Sequence, residues 1–120
     1  MTDKELDPEM TTGFLDEAGQ YIAVLNERLL GIEGGASPQA VIDEMFRAAH
    51  SMKGAAGFLN LQSVCEVTHV LETVLDRIRQ GGMRFSDPVI DALFQAFDCL
   101  SALLAEIAVG ETTPDFDIQP

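Results

Sequence analysis

The chain has 120 residues, the size of one ordinary domain, and a hydrophobic fraction of 47% that can furnish a single core. Twenty acidic residues against seven basic ones leave a formal charge of −13, a field that repels nucleic acid and anionic lipid, so neither nucleic-acid binding nor membrane insertion is expected. No apolar run reads as reaching the roughly 20 residues of a membrane span, and the start Met1-Thr-Asp-Lys-Glu lacks a signal-peptide pattern, which makes the cytoplasm the expected location.

Residues 1–9 read as a flexible N-terminus. Beyond them Phe14, Ala18, Ile22, Leu25, Leu29 and Ile32 step by three or four positions, as one face of a helix does, until Gly34-Gly35 stops the pattern. Ser37 is a natural N-cap with Pro38 at the first helical position, and Ile42, Met45, Ala49, Met52 and Ala56 form a second stripe that ends between Gly57 and Asn60. A third stripe runs Leu61, Val64, Val67, Leu71, Val74, Ile78 and closes at Gly81-Gly82. Ser86 or Asp87 caps the fourth element before Pro88, and Ile90, Leu93, Phe97, Leu100, Leu104 and Ile107 have the spacing of left-handed bundle packing. Cys65 and Cys99 lie inside these periodic segments and read as small buried hydrophobes.

No segment shows the period of two that a strand requires. Loops of about four to six residues make consecutive helices antiparallel neighbours. The expected fold is therefore all-α, an antiparallel up-down-up-down four-helix bundle over residues 10–109, with 110–120 a flexible tail or the start of a linker.

On the second helix, at about 100° per residue, His50 points roughly 120° away from the stripe centred on Met45 and Ala49, so it is expected at the surface. Arg47, Lys53, Gly54 and Gly57, at i−3, i+3, i+4 and i+7, border the same patch. A mid-helix glycine costs roughly 1 kcal/mol against alanine, and cleared space beside the imidazole explains the pair Gly54 and Gly57 better than stability does. Lys53 is one of two lysines in the chain and stands where a cation could meet phosphoryl oxygens. With the third helix folded back, His50 lies about level with His69, and Glu72 about one turn further along leans toward it. A carboxylate accepting from Nδ1–H would fix the tautomer and leave Nε2 with a free lone pair.

The stretch Phe46-Arg-Ala-Ala-His-Ser-Met-Lys-Gly-Ala-Ala-Gly57 resembles the phosphorylation motif of histidine phosphotransfer (HPt) domains, whose core is His-x-x-Lys-Gly followed by small residues. The next helix, Thr68-His-Val-Leu-Glu-Thr-Val-Leu-Asp-Arg-Ile-Arg79 with Gly81 after it, is similar to the amino-terminal phosphotransfer domain of chemotaxis histidine kinases of the CheA type. The likeness covers about residues 10–108 and its spacings agree without gaps. It implies that His50 is the phosphorylated histidine, Lys53 the lysine beside it, His69 a second site histidine and Glu72 the partner of the reactive ring. One departure is Asn60, where relatives commonly carry glycine; asparagine tolerates similar backbone angles.

The resemblance implies a phosphoryl carrier of two-component signalling: His50 accepts the γ-phosphoryl of ATP from a separate kinase ATP-binding domain and passes it to an aspartate of a response-regulator receiver domain. No Gly-x-x-x-x-Gly-Lys-Ser/Thr run is present, so this domain is expected to bind no cofactor, with ATP and Mg supplied by partner domains. Whether the chain acts within a full kinase or as a stand-alone phosphorelay protein stays open at this point. Two rivals come from other classes. Glu66-Val-Thr-His69 has the Glu-x-x-His form of di-iron bundles, but such sites need two such pairs and two more glutamates, and the chain has two histidines in all. A non-catalytic docking bundle would leave the grouping of His50, Lys53, Gly54, Gly57 and Glu72 without a role.

Overall fold

A computed structural model describes residues 8–110, which form four helices: α1 Pro8–Glu33, α2 Pro38–Phe58, α3 Gln62–Arg79 and α4 Asp87–Ala108. No strand occurs among the described residues. α1 packs on α2 and α4, and α3 packs on α2 and α4, so the four helices close a bundle in which chain neighbours are spatial neighbours. Most of the tails expected at 1–9 and 110–120 lies outside the described residues. Pro8 and Glu9 do not: they belong to the first turn of α1, where proline's fixed φ suits a helix start.

The stripes carry the core. All six expected residues of α1, from Phe14 to Ile32, and all six of α4, from Ile90 to Ile107, are buried. α2 buries its five and adds Ala48. α3 differs from its expected stripe. Val67, Val74 and Ile78 are only partly buried, while Val64, Thr68, Leu71 and Leu75 face the centre with Leu61 just ahead of them. A hydrophobicity pattern passes over Thr68, yet its hydroxyl donates to the carbonyl of Val64 at 2.7 Å and lies 3.1 Å from that of Cys65. That local partner lets the methyl group be buried without an orphaned donor. The cysteines also depart from expectation: Cys65 is half-buried and Cys99 is exposed, because each sits one position off the packed residues Val64 and Leu100.

Three helices end in the same way. At the end of α2 the amide of Leu61 donates to the Ala56 carbonyl at 2.9 Å and that of Asn60 to Gly57 at 3.1 Å, the paired pattern that satisfies the last carbonyls when the intervening residue is left-handed. Asn60 takes φ +60°, the conformation foreseen for it. Gly35 and Gly81 hold the matching places after α1 and α3. Ser37 and Ser86 stand at the N-caps of α2 and α4 with extended backbones, but neither side chain makes the capping bond; Asp87 is already helical.

By length and composition α4 could cross a membrane, against the expectation that no segment approaches that limit. In the bundle its six large buried residues, Ile90 to Ile107, line one side and pack into the core.

Candidate functional site

α2 presents Phe46, His50, Lys53, Gly54 and Gly57 along one outer strip, since these positions recur at three- and four-residue intervals. The short turn at 59–61 returns α3 alongside, and this brings Glu72 to the height of His50. The His50 side chain is 63% exposed and that of Glu72 only 13%. The imidazole thus faces outward while its partner sits in the seam between the helices.

Glu72 uses both oxygens. Its Oε2 accepts from Nδ1 of His50 at 2.5 Å, and its Oε1 accepts from Nζ of Lys53 at 2.5 Å. An ionised carboxylate has no proton to give, so the bond to His50 places the hydrogen on Nδ1. Nε2 then keeps an in-plane lone pair on the exposed side of the ring. Burial is the largest single influence on the Glu72 carboxyl and pushes it up, but hydrogen bonds from Lys53 and His50, together with their charge, outweigh it. The group is held below the usual carboxylate range and stays ionised at neutral pH.

The remaining expected residues fall into two groups. Gly54 is exposed, and a Cβ built on it would meet nothing within 4 Å; one on Gly57 would meet only Sγ of Cys65 at 3.8 Å, ordinary contact. Neither glycine is demanded by packing inside this domain, so the strip beside His50 is open surface. Lys53, expected to face phosphoryl oxygens, here gives its ammonium to Glu72. His69 is exposed on α3 and, among the described residues, makes no hydrogen bond or ion pair. It lines a shallow groove with Lys53, Cys65, Glu66 and Val70 instead of touching His50. Arg47 is exposed as well, and its charge acts on Glu44, away from the imidazole.

Two residues given no role in advance complete the surroundings of the imidazole. The Phe46 ring lies nearly parallel to that of His50, 12° between planes and 6.0 Å between centroids. The guanidinium carbon of Arg79, the last residue of α3, stands 3.9 Å from the Phe46 centroid. The i, i+4 spacing of Phe46 and His50 could have signalled the first contact. Nothing local could have signalled the second, which joins residues 46 and 79. Among the described residues no three His, Cys, Asp or Glu side chains gather in an arrangement that could hold a metal ion.

Comparison with known proteins places this geometry in context. The profile of the Hpt domain matches residues 9–109. The chain is 35% identical over 97 residues to chemotaxis protein CheA of Bacillus subtilis, a match covering 81% of this chain and 14% of that protein. Among solved structures, the phosphorylated P1 domain of CheA3 in complex with CheY6 from R. sphaeroides superposes with a TM-score of 0.84 at 26% identity, covering 90% of this chain and 84% of that one. The CheA phosphotransferase domain from Thermotoga maritima gives 0.78 at 29% identity, covering 90% and 99%. The chain thus spans about one seventh of the curated relative's length while matching nearly the whole of the Thermotoga domain.

Proposed function

The chain belongs to the Hpt domain family, and from that premise we propose that His50 is its phosphoryl-carrying residue, in the service of a chemotaxis-type kinase. The observation that carries the proposal is the contact between Nδ1 of His50 and Oε2 of Glu72. It leaves Nε2 as a solvent-facing nucleophile whose tautomer is already set.

In the proposed reaction the Nε2 lone pair attacks the γ-phosphorus of an ATP held by a separate kinase domain. The N–P bond forms as the P–O bond to ADP breaks. The ring becomes cationic on accepting the phosphoryl group; its Nδ1–H stays directed at Glu72, whose charge offsets the new positive charge. A receiver-domain aspartate then attacks the phosphorus, the N–P bond breaks, and neutral imidazole returns. Lys53, one turn from His50 and bonded to Glu72, is assigned to exchange Glu72 for a phosphoryl oxygen as the group arrives. Mg and nucleotide come with the partners in this reading. His69 is assigned to the partner-facing surface beside Lys53, where it lines the groove.

Two features support partners of this kind. A relative's phosphorylated P1 domain is seen bound to CheY6, which favours a response regulator as acceptor here. The glycine strip at Gly54 and Gly57 leaves the approach to the imidazole uncrowded. A cytoplasmic setting accords with such partners.

The test is to incubate the chain with a CheA-type kinase domain and labelled Mg-ATP, then add a receiver domain. Label should enter wild type, move to the receiver, and be lost in His50→Gln. Full labelling of His50→Gln would overturn the assignment.

A further inference from the structure

We propose that Phe46 and Arg79 are positioning residues that fix the plane of the His50 ring, a role that rests on the reading of His50 as the phosphorylated residue. One hydrogen bond cannot do this alone. The bond from Nδ1 to Glu72 pins one edge of the imidazole, but a ring held at a single edge still swings about that contact, and the terminal torsion of histidine is broad. Since the Nε2 lone pair lies in the ring plane, any swing moves it off the line of attack.

The second restraint comes from Phe46. Its ring is nearly parallel to the imidazole, at a spacing within the range of favourable aromatic pairs. Phe46 is itself immobilised: it is partly buried against the core, and the Arg79 guanidinium lies over it at 3.9 Å. The guanidinium is held in turn by Asp76 at 2.7 Å, one turn back on α3, and by Asp43 at 3.7 Å across the seam on α2. Restraint therefore passes from a charge cluster between the two helices, through one aromatic face, to the reactive ring. The arrangement has a chemical logic as well. Two carboxylates satisfy Arg79, so it can stay over Phe46 without competing with Lys53 for Glu72. Neither Phe46 nor Arg79 needs to touch the phosphoryl group.

The experiment uses the whole 120-residue chain with Phe46→Leu, Phe46→Tyr and Arg79→Gln, and reads two quantities. The first is the ¹³C–¹H order parameter of the His50 ring, read beside its two-bond ¹⁵N–¹H correlation spectrum; together they report mobility and tautomer without any kinase. Wild type should show Nδ1–H with a distinct, unprotonated Nε2. Phe46→Leu should lower the ring order parameter while Glu72 keeps the Nδ1–H tautomer, Arg79→Gln should lower it in part, and Phe46→Tyr should keep the wild-type value. The second is phosphorylation by the kinase domain, where kcat should fall about 5- to 20-fold in Phe46→Leu with KM little changed, and Phe46→Tyr should restore it. A wild-type ring order parameter in both Phe46→Leu and Arg79→Gln, or equal damage from Tyr and Leu at position 46, would overturn the proposal. Should Phe46→Leu fail to fold, the exposed-side change Arg79→Gln still decides it. The spectral result stands or falls separately from the functional reading, which only retained label in His50→Gln defeats.

Discussion

Nδ1 of His50 and Oε2 of Glu72 lie 2.5 Å apart although 22 positions separate the two residues in the chain. The exposed ring borrows its orientation from a carboxylate set in the α2–α3 seam, and the same carboxylate holds Lys53. Removing it should therefore disturb chemistry more than fold. In Glu72→Ala the circular dichroism spectrum should stay that of a folded bundle, because Glu72 contributes nothing to the apolar core, and the unfolding midpoint should fall only by the loss of its bonds to Lys53 and His50. Phosphorylation of His50 should slow about 10- to 100-fold, the usual loss when the group orienting a histidine is removed. An unchanged rate would take Glu72 out of the mechanism.

The same carboxyl imposes a pH dependence on stability. Its folded-state acidity lies below the ordinary carboxylate value, so it contributes stability that is fully present above the unfolded value of about 4.3 and is lost as pH falls through the depressed folded value. Urea unfolding of wild type and Glu72→Gln should thus differ most above about pH 5 and converge as pH falls through the depressed folded value. A gap that widened on acidification would contradict the assigned ion pairs.

Gly54 offers a separation of stability from function. Its Cβ site is open and it lies in the interior of α2, so Gly54→Ala should stabilise the domain by about 0.5–1 kcal/mol. A methyl group one turn from His50 should at the same time hinder docking and slow transfer to a receiver. Thermal melts and transfer kinetics on one preparation check both halves; stabilisation with undiminished transfer would show that the glycine does not serve partner access.

Asn60 carries the sharp turn between α2 and α3 at φ +60°. Asn60→Ala should destabilise by about 1 kcal/mol, since a left-handed residue with a Cβ and no local hydrogen-bonding group is costly there, whereas Asn60→Gly should be neutral or mildly stabilising. Denaturant midpoints of the three proteins should rank Gly at or above Asn, and Asn above Ala.

How far the molecule could be read in advance varies by element. The α1 and α4 stripes were legible in full because their buried residues are all apolar and recur at three- and four-residue steps. The α3 stripe was read one residue off in places, since Thr68 hides its polar atom in its own helix and so behaves as a core residue. His50 with its neighbours along α2 was legible for the same periodic reason, and Glu72 followed from counting rises along two antiparallel helices. The state of Lys53 was not: whether an ammonium points at solvent or at a carboxylate depends on packing across the seam. His69 was expected level with His50, and whether it faces the imidazole or the groove beside Lys53 was decided by the packing, since a shift of one residue turns a side chain by about 100°.

Periodicity and turn residues, which are short-range properties, were enough to determine four helices, their order, most of the core and an outward-facing histidine beside a gap of glycines. The tertiary structure alone decided that one carboxylate serves both His50 and Lys53, and that Phe46, under Arg79, lies against the imidazole. The physical reason is reach. Helical periodicity sets the direction of a side chain to within tens of degrees, whereas a hydrogen bond or a stacked ring requires placement to a few tenths of an ångström, and only the rigid packing of α2 on α3 supplies that.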